Sequence, residues 1–326
     1  MKPNIECLPQ PQSFSLRDNS YLANVALLYY QEGMNQGEIA KRLGLSRATI
    51  VNYLREGKER GIVDIRVNGE SLRSSLKSRD LATRYNLEDV YIAHVGKNTG
   101  ADFALRHTAR VAALAFHDIV ERGDTIGVAW GETVKSVSQQ LPDRVIPETK
   151  VCQVIGSMES DRLLSAEDCA IQIANRIGAQ CHTLHAPAIL SSPSLAANLR
   201  KEPTIEKQLN RLRKLSAILT SVGDLNSNTH VASSGIIKND ELLDVIKAGA
   251  VGFICSSFIK QDGGSLPFRL QDRMIAISLD EIMKTPKRIM VASGQNKFEA
   301  VKAALDGGYV THAIIDDQLA SLLLRN

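Results

Sequence analysis

From about Glu88 onward the chain changes rhythm in a way that leaves few folds open. Eight short apolar, β-prone runs occur at 89–95, 125–130, 150–156, 181–186, 215–223, 250–255, 287–293 and 311–317. Longer stretches with helical spacing separate them, among them 101–121, 165–178, 238–248, 297–306 and 317–324. Strands that are apolar on both sides need cover on both faces. Helices alternating with them supply that cover in a mostly parallel sheet. The expected class is therefore α/β, with a doubly wound, mostly parallel-sheet domain over residues 81–326.

The N-terminal part reads differently. Residues 1–17 carry three prolines and few apolar groups, which suits a flexible arm. Residues 18–67 have helical spacing throughout and form an expected all-α domain. The polar stretch 68–80 (NGESLRSSLKSRD) reads as a linker leading into a helix.

Within the small domain, NQGEIAKRLGLSRATIVNYL (35–54) has the layout of a helix-turn-helix. Ile39, Ala40 and Leu43 line one face. Gly44 supplies the positive φ that closes a helix, and Ser46 is a good N-cap for the next. Ile50, Tyr53 and Leu54 then point inward, leaving Arg47, Ala48, Val51 and Asn52 outward. Outward residues at the start of a second helix are those that enter a major groove. Arginine pairs with a guanine edge and asparagine with adenine, while Ser46 and Thr49 suit phosphate oxygens. The DNA-contacting set is therefore Ser46, Arg47, Ala48, Thr49 and Asn52. The helical stretch 20–32 supplies the third helix, and IVDIRV (62–67) alternates like a short strand or wing. An ordinary pair of amphipathic helices explains the apolar positions, but not the glycine turn and serine cap at these offsets.

Charge agrees with this placement. The whole chain of 326 residues has a formal net charge of +3. Seven basic residues against four acidic ones between 35 and 66 account for all of it. Five scattered cysteines without a C-x-x-C pair suit reduced thiols. The polar N-terminus lacks the apolar stretch of a signal peptide, and no apolar run is long enough to span a bilayer. A cytoplasmic protein with no membrane association is expected.

Three glycine-containing loops of the large domain fall at expected strand ends, where parallel sheets bind ligands. In GVAWGET (127–133), Gly131 lets an anion approach the backbone and Thr133 adds a hydroxyl at a helix start. In SVGDLNSN (221–228), Asp224 can accept from sugar hydroxyls. In ASGQNKFEAVKAALDGG (292–308), Lys297 stands at a helix start, where the dipole disfavours a cation unless an anion sits beside it. Asp262, before two glycines, is a further candidate, although a solvent-facing turn explains it equally well. Asp316 or Asp317 most simply caps the last helix. His182 and His185 lie three apart on an expected strand and so point to opposite faces, which argues against a shared metal. No metal, cofactor or catalytic residue is expected.

These segments, with GAVGFICSSFIKQDGG (249–264), resemble the SorC/DeoR-type sugar-responsive transcription regulators. The similarity runs from about residue 20 to the C-terminus. Its most specific parts are the W-G-x-T loop and the G-x-x-K-x-x-A helix start. The effector domain of that family is similar to glucosamine-6-phosphate deaminase and ribose-5-phosphate isomerase. The resemblance implies control by a phosphorylated sugar or polyol, with Gly127, Trp130, Gly131, Thr133 and Lys297 at its phosphate. It also implies a dimer or tetramer on double-stranded, palindromic operator DNA. Glu132 departs from a phosphate-seeking loop, since a carboxylate suits hydroxyls better. The alternatives are an isomerase- or deaminase-like enzyme carrying a DNA-binding domain, and a DNA-binding protein whose large domain only oligomerises.

Overall fold

The computed structural model describes residues 18–65, 68–96, 99–158, 165–225, 237–255 and 257–325. The arm expected at 1–17 lies outside them. The chain divides into two compact units, Met1–Val67 and Asn68–Asn326.

The first unit is helical. α1 (Asn19–Tyr30), α2 (Gln36–Leu43) and α3 (Arg47–Glu59) bury Leu22, Val25, Ile39, Ala40, Ile50 and Leu54 between them. Asn35 and Glu38 form a reciprocal capping box that starts α2. Gly44 ends it at φ 66°, a left-handed conformation that costs a glycine nothing. Ser46 then caps α3 by accepting from the Thr49 backbone N–H at 3.0 Å. The expected wing differs. The N–H groups of Ile62 and Val63 return to the Gly57 carbonyl, so they close α3 and have no strand partner. Residues 62–65 form no strand, and 66–67 lie outside the described residues.

In the second unit the polar stretch 68–80 is not a free linker. It folds into α4 (Glu70–Arg73) and the first half of α5 (Leu76–Tyr85). Arg73 pairs with Asp89 at 2.6 Å and Leu81 enters the main core, so this segment belongs to the large unit.

A seven-stranded sheet follows, all of its pairings parallel. Its strands are β1 (Asp89–Ala93), β2 (Thr125–Val128), β3 (Lys150–Gln153), β4 (Gln180–His182), β5 (Ala217–Thr220), β10 (Lys287–Ala292) and β11 (His312–Asp316), in the order β1-β11-β10-β5-β2-β3-β4. The helices between them are α6 (Ala101–Ile119), α7 (Glu132–Gln140), α8 (Ala166–Ile177), α9 (Pro193–Leu199) and α10 (Pro203–Leu212), then α11 (Asn239–Lys247), α12 (Leu279–Lys284), α13 (Phe298–Asp306) and α14 (Asp317–Arg325). One strand expectation is corrected. The run 250–255 leaves the parallel sheet and forms β7 (Ala250–Ile254) of a separate antiparallel sheet with β6 (Gly223–Asp224), β8 (Ser257–Lys260) and β9 (Ser265–Leu266). Phe258 packs against a tilted Phe253 ring and edge-to-face with Phe268, and this cluster gives the sheet a core of its own. Among the described residues, no helix is long and apolar enough to cross a membrane.

Candidate functional site

Strands β2 to β4 build outward to one edge of the sheet. The chain then returns, and β5 inserts on the other side of β2. Loops leaving neighbouring strands diverge at such a reversal and open a crevice at the carboxyl ends. A cavity of about 440 Å³ lies there. β2 supplies Trp130 to Thr133 from its end, β5 supplies Ser221 to Asp224, and β10 supplies Ser293, Asn296 and Lys297. The first turn of α6 adds Ala101, Asp102 and Leu105, and the second sheet closes the wall with Phe253 and Cys255.

Each loop has a local reason for its path. Gly131 sits at φ 129°, ψ 169°, a conformation essentially confined to glycine, and lets the chain turn sharply from β2 into α7. Thr133 is buried in the first turn of α7, where backbone N–H groups lack helical partners. The β10 loop is held by Asp316, a buried carboxylate. It accepts from Ser293 Oγ at 3.0 Å, from the Gly294 N–H at 2.6 Å and from the Leu319 N–H at 2.8 Å. One side chain therefore both caps α14 and shapes the β10 loop that lines the cavity.

Lys297 ends a short 3₁₀ turn (Gln295–Lys297) that runs directly into α13. Its Nζ lies 3.4 Å from Thr133 Oγ1. Burial pushes its ammonium pKa below the ordinary lysine value, and Asp224 and Glu132 partly offset this by favouring the charged form. Asp224 also accepts from Asn296 Nδ2. Ser221 Oγ is buried and has no hydrogen-bond partner among the described residues. The cavity thus has a cationic corner, formed by Lys297, the Thr133 hydroxyl and the α7 start. Its other polar side chains, Glu132, Asp102, Asp224, Asn296, Ser221 and Ser293, suit hydroxyls.

Two expected residues are not in this cavity. Gly127 lies within β2, and a Cβ there would come within 2.6 Å of Leu215 and 2.7 Å of Val154. It is a packing glycine of the sheet. Asp262 belongs to the turn between β8 and β9, where it accepts from the Gly264 N–H at 2.8 Å. The adjoining Gly263 is pressed against Gly307 at the end of α13. Asp262 is therefore a turn residue, remote from the cavity lining. Trp130, Gly131, Thr133, Asp224 and Lys297 do converge. Ser221, Ser293, Asn296 and Asp102 were not anticipated. The first three stand within the loops already singled out, and Asn296 is directly beside Lys297. Asp102 carried no local signal. Among the described residues, no group of His, Cys, Asp and Glu could hold a metal ion.

The second candidate surface is α3. Arg47, Ala48, Val51 and Asn52 are exposed on it, Thr49 is half-buried, and Ser46 caps it. Arg47 Nε reaches Gln36 Oε1 at 3.4 Å across the turn. Ser46 Oγ and Thr49 Oγ1 lie 2.8 Å apart, which holds both hydroxyls at the helix start.

The Sugar-bind family model, describing a sugar-binding domain, matches residues 71–325. The transcriptional regulator YjhU of Escherichia coli K12 is 32% identical over 95% of this chain and 96% of its own length. The chain is a SorC/DeoR-family transcriptional regulator. Relatives of this regulator include the deoxyribonucleoside regulator of Bacillus subtilis, 28% identical over 92% of this chain and 96% of that one. The crystal structure of the full-length sorbitol operon regulator SorC from Klebsiella pneumoniae superimposes with a TM-score of 0.76 at 25% identity. It covers 95% of this chain and is itself covered completely. The relatives are named as regulators, and this chain is likewise a regulator and not an enzyme.

Proposed function

We propose that the chain grips operator DNA with α3 of each of two or four copies, and that a monophosphorylated sugar or polyol in the cavity of the large unit sets that grip. The observation that carries the ligand reading is the polarity of the cavity. Two sets of groups line it among the described residues: the one lysine, Lys297, with the Thr133 hydroxyl and the start of α7, and then Asp102, Asp224 and Asn296, of which Asp224, like Glu132 on α7, is near enough to the ammonium to favour its charged form. A phosphate suits the first because the ammonium, the Thr133 hydroxyl and backbone N–H groups at a helix start all donate. Sugar hydroxyls suit the second because Asp224 and Asp102 accept. The carboxylates also argue against a second phosphate on the same ligand.

The test is a thermal-shift screen of the purified chain against sugars, polyols and their phosphates. A ligand that binds only the folded state raises Tm by mass action, about 2.7 kcal/mol of added stability at a hundred times Kd. The expected result is a clear shift with a monophosphate and none with its dephosphorylated form. Shifts with unphosphorylated compounds alone sink the phosphate corner.

The DNA reading rests on the exposed face Arg47–Ala48–Val51–Asn52 beside a glycine turn. Arg47→Ala is expected to lose discrimination at one base pair, worth about 1–3 kcal/mol, with a smaller loss on random DNA. Competitive fluorescence anisotropy with operator and scrambled duplexes reads both. An equal loss on both duplexes means that Arg47 meets only phosphate. A ligand can change DNA affinity only through its differential affinity for two arrangements of the assembly. Paired α3 helices reading half-sites about 34–36 Å apart, or a multiple of that, account for a palindromic operator.

A further inference from the structure

At the amino-terminal ends of the strands, on the opposite edge of the sheet from the cavity, lies a second pocket of about 360 Å³ lined by Thr125, Lys150, Gln180, His182, Arg211 and Lys214. Lys150 comes from the start of β3, His182 from β4, and Arg211 and Lys214 from the end of α10 and just beyond. Lys207 stands one helical turn before Arg211 on α10, near enough to His182 to act on it. We propose that this pocket is a second anion site, taking a small, multiply charged anion of the phosphate class.

The first argument is uncompensated charge. Among the described residues, no carboxylate lies within ion-pair distance of Lys150, Lys207, Arg211 or Lys214. The neighbouring carboxylate, Asp124, is engaged instead by Lys287 Nζ at 3.0 Å and Ser216 Oγ at 2.7 Å. Cations gathered without counter-charge repel one another, and an anion of two or more charges removes that cost. The second argument is shape and chemistry. The cations converge on a concavity, and its neutral lining, Thr125 and Gln180, adds donors for oxygen. A helix C-terminus favours cations, which accounts for Arg211 and Lys214 but not for Lys150 arriving from the sheet. His182 reports the same field. Burial lowers its pKa, and Arg211, Lys150 and Lys207 lower it further. The pocket shares β2 with the effector cavity. Thr125 opens the strand at one end and the Trp130 loop leaves it at the other, so an anion here meets the same strand as the ligand beyond it.

Isothermal titration of the full chain with inorganic pyrophosphate at about 0.15 M salt, where the Debye length is about 8 Å, tests the site. Pyrophosphate is expected to bind the unaltered chain and Lys297→Met alike. The double variant Lys150→Gln/Arg211→Gln is expected to weaken binding about tenfold or more. Should the double variant misfold, the exposed single change Lys214→Gln serves, with a loss of roughly threefold. Three results overturn the proposal. They are unchanged affinity in these variants, loss in Lys297→Met alone, and loss of duplex-DNA affinity in the double variant with pyrophosphate binding intact. The last would assign the cations to nucleic acid. Because Lys297→Met reads the other cavity separately, failure here leaves the effector reading standing.

Discussion

Lys297→Met is expected to abolish the response to the effector while leaving the fold and the DNA grip in place. Among the described residues its ammonium is the only cation lining the cavity, 3.4 Å from the Thr133 hydroxyl. Removing one partner of a desolvated charge pair typically costs about 2–5 kcal/mol, because the other charge is left buried without a partner. Effector affinity should fall on the order of a hundredfold or more, since each 1.4 kcal/mol is tenfold. Folding stability should change far less. The substitution removes a charge that burial disfavours, but it also takes a counter-charge from Asp224 and Glu132. Exchanging one side of such a balance is close to neutral more often than not. Calorimetric titration with the monophosphate found in the screen gives the affinity, and operator release gives the response. A variant that still releases operator at the same effector concentration would remove Lys297 from the site.

Asp316→Ala is expected to produce the largest loss of stability among single changes around the cavity. The carboxylate is buried at 1% exposure and receives three hydrogen bonds. Alanine leaves the Ser293 hydroxyl and two backbone N–H groups without their acceptor. Hydrogen bonds to a charged group are worth about 1.5–3 kcal/mol each, and shared bonds do not add fully. A total cost of at least about 3 kcal/mol lowers Tm by roughly 6–12 °C in a unit of this size. Effector affinity should fall as well, because Ser293 to Lys297 lose the tie that sets their path. Scanning calorimetry reads the first effect and titration the second. Asp316→Asn, which keeps the shape and part of the acceptor set, should lose less of both. An Asp316→Ala chain that melts with the parent would mean that the loop is held by its own turn geometry.

Much of this architecture was legible because its signals are local. The Gly44 turn, the Ser46 cap and the spacing of Ile39, Ile50 and Leu54 are short-range facts, and all fall where the sequence puts them. Seven of the eight apolar runs join the parallel sheet for the same reason. The eighth, 250–255, has the same composition, but its sheet depends on what it meets. A left-handed Cys255 at φ 53° follows it, and β8 folds back to pair with it. No periodicity records that partner. Helices α9 and α10 were missed although Pro193 and Pro203 both sit at their first positions, a start signal that polar surroundings obscured. In the cavity, Thr133, Asp224 and Lys297 could be singled out because each sits in a loop with a recognisable turn. Asp102 could not, since only the packing of α6 brings it there. Gly127 misled for a physical reason. A glycine that lets a ligand approach and one that lets two side chains pack look alike in sequence.

The 19 residues of α6 form a rod about 28 Å long at 1.5 Å per residue. At its first turn, Ala101, Asp102 and Leu105 face the cavity. At its last turn, Asp118 lies so close to Gly69 that a Cβ on that glycine would come within 1.8 Å of its carboxylate. Gly69 is the second residue of the large unit, where the chain arrives from the helical one. A stiff helix cannot absorb a push at one end without passing it to the other. A tilt of the opening turn of α6 is thus carried along the rod to Asp118, and through it to the backbone of Gly69. Only glycine fits at residue 69 with Asp118 in this position, so the far end of the rod rests directly on main chain.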